Sequence, residues 1–326
     1  MKVNKIAVLY DANKSKVLTP LQKHHLAWIR EIAPDAEVIY ADSEEKLLQL
    51  TDDADILVIS RIEPAEAFCK KAKSLKWVHN LYAGMDIIMK SETAKLDVKL
   101  TRTNVAHVPM ADTALAFIFS FLRFIPTLVR QQDHKVWQKY PHAEESFNKT
   151  IGIIGLGTIG EEIAKKCKLL GMRVIATKRN PIESPWVDIV YPASDLEVVL
   201  KESDFVILVI PFTPETARYI GEKELRMMKK TAYFINLSRG SIVDEEALIK
   251  VLQEGVIAGA ALDVFTVEPL PGDSPLWEMP NVIISPHMSA DSPYYMDRAV
   301  KCFCENLQRF IEGKSLLNEV DKRIGY

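Results

Sequence analysis

The chain has 326 residues, 41 basic and 44 acidic side chains for a formal net charge of −3, and 48% hydrophobic residues. Its length suggests two domains at roughly 150 residues each, and its hydrophobic fraction excludes a disordered or fibrous chain. The near-neutral charge gives no global reason to bind nucleic acid or a membrane surface. The four cysteines, Cys69, Cys167, Cys302 and Cys304, are too few and too irregularly spaced for a disulfide framework. No secretory core opens the chain, and the apolar run from Ala114 to Leu122 meets Arg123 well short of the ~20 residues a spanning helix needs. These features read as a reduced, cytoplasmic, soluble protein.

In chain order, short β-type runs come first: Lys5–Tyr10, Glu37–Ala41, Ile56–Ser60, Trp77–Asn80 and Val98–Thr101. Amphipathic segments such as Ser43–Leu50 and Ala65–Lys73 separate them. The alternation predicts a parallel sheet covered by helices on both faces. A different region follows, from about 108 to 147: an apolar helix over Met110–Leu128, then a polar stretch studded with aromatics, Gln131–Phe147. A helix apolar nearly all round is buried on several sides, either in the core of the domain or against a second subunit. A second series of strands then runs through Ile151–Gly155, Arg173–Thr177, Phe205–Ile210, Ala232–Leu237, Ile257–Asp263 and Val282–Ser285. These are nearly continuous apolar runs, as expected for strands buried on both faces.

The first of that series runs straight into Gly155-x-Gly157-x-x-Gly160, where a helix starts, through Thr158 and Ile159. Gly155 suits the tight turn, Gly157 lets the backbone approach a pyrophosphate, and Gly160 lets the helix pack close to the strand. With a strand before and a helix and strand after, the motif predicts dinucleotide binding. The next strand ends in Thr177-Lys178-Arg179, with no carboxylate to take the ribose hydroxyls. Two cations and a hydroxyl favour a 2′-phosphate, hence NADP, although an ordinary basic turn that accepts NAD remains the other reading.

Three later strands end in polar residues: Arg239, then Asp263 and Glu268, then His287. Ligands of open α/β sheets bind outside the carboxyl ends of the strands, so these side chains are expected to converge. Arginine offers a planar fork of donors to a carboxylate and a carbonyl oxygen. A histidine beside a carboxylate can protonate that oxygen as hydride reaches the carbon. The set reads as a hydride-transfer site for a 2-oxo acid.

The motifs GLGTIG at 155–160, PFTPET at 211–216, INLSRG at 235–240, ALDVF-x-x-EPLP at 261–271 and SPH at 285–287 resemble the D-isomer-specific 2-hydroxyacid dehydrogenase family, of the glyoxylate/hydroxypyruvate reductase kind. The spacing is similar too, 29 positions from Arg239 to Glu268 and 19 from Glu268 to His287. The resemblance implies reversible hydride transfer between NAD(P)H and a small 2-oxo acid, giving a D-2-hydroxy acid. It assigns Arg239 to the substrate, Glu268 and His287 to an acid–base pair, Asp263 to the nicotinamide carboxamide, and Pro211 and Thr216 to the cofactor side. Tyr82, Ala83 and Gly84 are similar to the family's substrate loop, whose backbone N–H groups hold the carboxylate. It also implies two doubly wound α/β domains with parallel sheets. One is a flavodoxin-like substrate domain of residues 1–103 and 290–326. The other is an inserted Rossmann cofactor domain of residues 104–289, with a dimerisation arm at about 108–147. A homodimer with no bound metal is expected, and the physiological 2-oxo acid is left open. A dinucleotide-sensing binding protein, related to the family's corepressors, is the alternative on the same fold.

Other residues have plainer readings. His24 and His25 are expected to be solvated on a polar helix, while His79 and His107 could line the site or simply pack. Cys302 and Cys304 read as buried helical thiols, since a structural zinc needs four ligands. The segment Val105–Asp112 and the turn after His287, MSADSPYY, depart from the family's commoner pattern and bear on substrate choice.

Overall fold

The computed structural model describes residues 1–10, 20–60, 66–139 and 143–325. Ala65 of the expected segment Ala65–Lys73, residues 140–142 of the Gln131–Phe147 stretch and residue 326 lie outside them. The chain forms two compact units, Met1–Ala106 with Asp291–Tyr326, and His107–Ala290.

The first unit holds a parallel sheet of five strands: β1 (Lys5–Leu9), β2 (Glu37–Ala41), β3 (Ile56–Ile59), β4 (Trp77–Asn80) and β5 (Lys99–Arg102). Their order, β2-β1-β3-β4-β5, is the flavodoxin-like doubly wound arrangement. Strands β3 and β4 are buried at every position; β3 is an unbroken apolar run, whereas β4 buries His79 and Asn80 beside Trp77 and Val78. The helix Glu44–Leu50 starts where Ser43 accepts the Lys46 N–H, relieving one of the donors a helix N-terminus leaves unpaired.

Trp77, fully buried on β4, stacks on Phe303 and Phe310 at ring separations of 5.2 and 5.3 Å. Both phenylalanines lie on the helix Tyr295–Ile311, so the end of the chain completes the core begun by its first hundred residues. A second link joins that helix to Lys23–Ile32. His25 is 1% exposed; its Nδ1 accepts the Gln22 N–H at 2.9 Å and its Nε2 lies 2.8 Å from Asp297. The expectation that both histidines are solvated therefore fails for His25. Its partner lies hundreds of residues away, and no local pattern announces it.

The second unit holds seven parallel strands: β6 (Thr150–Ile154), β7 (Arg173–Lys178), β8 (Ile189–Pro192), β9 (Phe205–Leu208), β10 (Tyr233–Asn236), β11 (Gly259–Leu262) and β12 (Val282–Ile284). Their order is β12-β11-β10-β9-β6-β7-β8, so the strand order reverses between β6 and β9. This is the Rossmann arrangement with one strand added. The strand series read from the sequence lacks β8. It is a short edge strand ending in Pro192, a residue that only an edge tolerates, and its apolar signal is correspondingly thin.

The expected helix over Met110–Leu128 is two helices, His107–Leu122 and Ile125–Asp133, bent by 66°. Pro126 has no N–H to offer the Leu122 carbonyl, which would be its helical partner. Phe124 turns into the left-handed region at φ 54°, and the Glu144 N–H takes the Leu122 carbonyl instead. The first helix packs against Thr158–Leu169 and buries seven side chains, Met110 and Phe117 among them; the second buries none. Among the described residues no single helix is long and apolar enough to cross a membrane.

His79, also on β4, is wholly buried. Thr101 Oγ1 accepts the Trp77 indole N–H at 2.8 Å and so turns its own proton to His79 Nδ1 at 2.7 Å. The remaining ring nitrogen, Nε2, then donates to Thr103 Oγ1 at 3.2 Å. Burial disfavours the charged ring and lowers its pKa from 6.5 to about 3. Between those values the unfolded chain binds a proton that the folded one refuses, so acid favours unfolding by up to about 1.4 kcal/mol per pH unit. Denaturant titrations at pH 7 and pH 5 should show wild-type stability falling, and the fall should be smaller in His79→Gln. An equal loss in both proteins would refute this assignment.

Candidate active site

A parallel sheet delivers the carboxyl ends of all its strands to one edge, and in the second unit that edge collects the predicted residues. After β6 the chain turns at Gly155 with φ +105°, and the N–H groups of Gly155 and Leu156 both reach the Thr177 carbonyl. A Cβ at Gly155 would lie 2.9 Å from the Val209 carbonyl oxygen, and one at Gly160 would lie 2.4 Å from the Gly155 oxygen. The turn and the close approach thus both require glycine. Gly157 is different: a Cβ there would meet nothing within 4 Å. It is the N-cap of the helix Thr158–Leu169, with no side chain capping it. Such a terminus suits a pyrophosphate.

Neighbouring strand ends surround this turn. Thr177 is buried within β7 and supports the glycine turn through its carbonyl, whereas Lys178 is half-buried and Arg179 exposed. After β9, Thr216 Oγ1 accepts the Thr213 N–H at 2.7 Å and donates to the Pro211 carbonyl at 2.9 Å, closing the PFTPET turn. Glu215 in that turn is held below its ordinary pKa, first by the Thr213 hydroxyl and in smaller part by the charge of Arg179.

The three remaining strand ends carry the candidate acid–base set. His287 Nδ1 lies 2.7 Å from Glu268 Oε2, and Glu268 Oε1 accepts the Phe265 N–H at 3.1 Å. Burial alone would raise the Glu268 carboxyl, but the bonds from His287 and Phe265 and the nearby charge of Arg239 outweigh it and hold the group below its ordinary value. Glu268 is therefore ionised at neutral pH and orients the ring through Nδ1, leaving Nε2 for proton transfer. Arg239 is set by its own turn: Asn236 Nδ2 donates to its carbonyl at 3.2 Å, and its Nη1 donates to the Ser238 carbonyl at 2.8 Å.

Sequence reasoning missed the supports of this set. Asp263, fully buried at the end of β11, accepts the Ser285 hydroxyl at 2.6 Å and the N–H groups of Met288 and Ser289 at 2.9 and 3.0 Å. These bonds clamp the turn on both sides of His287, whose backbone sits at φ 54°. That conformation costs a non-glycine residue about 1–3 kcal/mol, and the buried carboxylate offsets it. Gly240 is the other support: a Cβ there would lie 1.9 Å from the Phe265 carbonyl carbon, so only glycine lets the Arg239 turn abut the segment that carries Glu268. The signals were present, as an Asn and a Gly flanking Arg239 in INLSRG and an Asp opening the strand end before Glu268.

Tyr82, Ala83 and Gly84 belong to the first unit, in the loop after β4. Asn80 shapes it, accepting the Tyr82 N–H at 3.3 Å and donating to the Gly84 carbonyl at 2.9 Å. The Tyr82 ring stacks on Tyr295 at 5.4 Å. His79 lies within the sheet core behind this loop and lines no site.

The family model described as "D-isomer specific 2-hydroxyacid dehydrogenase, NAD binding domain" matches residues 115–289. A glyoxylate reductase of Korarchaeum cryptofilum is 35% identical over 293 residues, 86% of this chain and 87% of that one. A D-isomer specific 2-hydroxyacid dehydrogenase of Xanthobacter autotrophicus, solved with NADPH and MES, has 30% identity and a TM-score of 0.84, covering 98% of this chain and 99% of its own. An NADPH-dependent glyoxylate/hydroxypyruvate reductase of Sinorhizobium meliloti, solved with NADP and sulfate, has 27% identity and a TM-score of 0.84, covering 99% and 100%. The chain belongs to the D-isomer specific 2-hydroxyacid dehydrogenase family and is an oxidoreductase that moves a hydride between a nicotinamide dinucleotide and a 2-oxo or 2-hydroxy acid.

Proposed function

We propose that this protein reduces glyoxylate, hydroxypyruvate and similarly small 2-oxo acids to D-2-hydroxy acids with NADPH, as a cytoplasmic homodimer. The observation that carries the reading is the His287–Glu268 pair, 2.7 Å apart, at the sheet edge that also bears Arg239 and the glycine turn. When bound, the dinucleotide supplies the hydride. The helix start after Gly157, where a Cβ would meet nothing, fits its pyrophosphate, and Thr158, Ile159, Pro211 and Thr216 are the further residues that would hold the cofactor. Arg239 engages the substrate carboxylate and carbonyl oxygen with its fork of donors. His287 gives a proton from Nε2 to that oxygen, while Glu268 stabilises the ring in its charged state through Nδ1. Asp263 holds the His287 turn and is the residue that would meet the nicotinamide carboxamide. The Ala83 and Gly84 N–H groups of the substrate domain are the backbone donors for the carboxylate.

His287→Ala should lower kcat about a hundredfold or more while the KM for NADPH changes by less than about threefold. Glu268→Gln removes the charged partner that orients the ring through Nδ1, so kcat/KM for reduction should fall about tenfold or more. Unchanged turnover in the first variant, or an unchanged kcat/KM in the second, would dismiss this mechanism.

The preference for NADPH is supported by Lys178 and Arg179 at the end of β7 and by solved relatives that hold NADPH or NADP. A charge-assisted bond to a phosphate supports an expected fall of about tenfold or more in kcat/KM for NADPH in Arg179→Ala, with little change for NADH. Higher wild-type kcat/KM with NADH would reverse the assignment.

The homodimer is supported by the helix Ile125–Asp133, which buries none of its side chains and exposes Ile125, Leu128 and Val129, and by Trp137, which is wholly exposed. Contiguous apolar surface of this kind marks an interface. Light scattering at micromolar concentration should give twice the chain mass of 36.9 kDa, and Leu128→Glu with Val129→Glu should lower it towards one chain. A wild-type reading of one chain mass would refute the dimer. A cytoplasmic setting agrees with four free thiols, of which Cys69 is pushed up to about 11 and Cys167 and Cys304 to about 12 by burial.

A further inference from the structure

Arg102 ends β5 and sits in register with Asn80 of β4, so the two side chains flank the Tyr82–Gly84 loop from adjacent strands. Arg102 Nη1 donates to the Ala83 carbonyl at 3.3 Å. Burial destabilises its charge, and among the described residues no carboxylate pairs with it to compensate. A desolvated, unpaired cation is costly, and such costs gather where a ligand repays them. A second observation comes from the loop backbone. Among the described residues, the N–H groups of Ala83 and Gly84 find no acceptor, although both residues are half-buried. In a trans peptide the C=O and N–H point in opposite directions. Drawing the Ala83 carbonyl towards Arg102 therefore turns the Gly84 N–H away from it. Asn80 fixes the following peptide through the Gly84 carbonyl and, earlier in the loop, the Leu81–Tyr82 peptide through the Tyr82 N–H. The loop is thus held on both sides of the Tyr82–Ala83 peptide, with two backbone donors unspent where an anion could take them.

We propose that Arg102 is a positioning residue for substrate: it fixes the Ala83–Gly84 peptide so that the Gly84 N–H presents to the carboxylate beside that of Ala83, and it places an uncompensated positive charge behind them. The inference rests on the reading of Tyr82–Gly84 as the substrate loop and adds a side chain to what that reading took as backbone alone. The guanidinium touches the loop and not the reacting atoms, so its effect falls on substrate affinity and not on proton or hydride transfer.

The test compares Arg102→Met, which keeps the aliphatic stem, with Arg102→Lys, which keeps a charged donor. Steady-state rates with glyoxylate and NADPH give kcat and both KM values, and calorimetry of the enzyme–NADPH complex with oxalate reads anion affinity without turnover. Losing one charged hydrogen bond to the loop should raise the glyoxylate KM and the oxalate Kd by about tenfold or more in Arg102→Met. The NADPH KM and the pH profile of kcat should stay within about twofold, and Arg102→Lys should recover most of the lost affinity. A glyoxylate KM and oxalate Kd unchanged in Arg102→Met would overturn the proposal. So would losses in both variants that track a lowered melting temperature and a raised NADPH KM, since those mark a merely structural arginine. If the wild type itself reduces no 2-oxo acid, the functional reading fails first, whatever the variants do.

Discussion

The chemistry of the second unit hangs on a buried carboxylate. Asp263 has no solvent of its own and gathers a hydroxyl and two backbone N–H groups from the segment after β12. Without those bonds the left-handed backbone at His287 would relax, and the ring would leave the Glu268 oxygen that orients it. The arrangement needs the parallel sheet beneath it. Strands β10, β11 and β12 are consecutive neighbours in register, so three short turns emerge side by side, and Gly240 removes the bulk that would keep the first two apart. Small residues and buried polar ones thus do the positioning, and the charged ones act from the places so defined.

Much of this was legible in the sequence, for a physical reason. Strands buried on both faces tend to be apolar throughout, so β3 and β9 announce themselves within four residues. A glycine turn between strand and helix is likewise a local signal, as is a polar residue closing an apolar run. Arg239, Glu268 and His287 could be nominated because each sits just past such a run.

What stayed hidden depends on partners far apart in the chain or on faces the sheet does not bury. The bond from His25 to Asp297 spans nearly the whole sequence, so the histidine looked solvated. Strand β8 packs on one side only and carries a weak pattern. Asp263 drew notice for its place before Glu268, but its role in clamping the next turn requires knowing that β12 lies beside β11. The break at Phe124 was foreshadowed by Pro126, yet the uniform greasiness of the segment masked it. Charge was the opposite case. A net charge of −3 says nothing about where cations act, and Arg102, Lys178, Arg179 and Arg239 matter through their separate surroundings.

The stack of Phe303 and Phe310 on Trp77 has a consequence for how the chain is made. During synthesis the second unit has all its strands once Ala290 has emerged, and its core can close at once. The first unit begins earlier and finishes later. Its five strands are available from the first hundred or so residues, but one face of Trp77 waits for a helix more than two hundred residues downstream. The inserted unit is thus the first to mature, and until the last helix arrives, the segment made earliest keeps an aromatic face that chaperones or neighbouring chains can find.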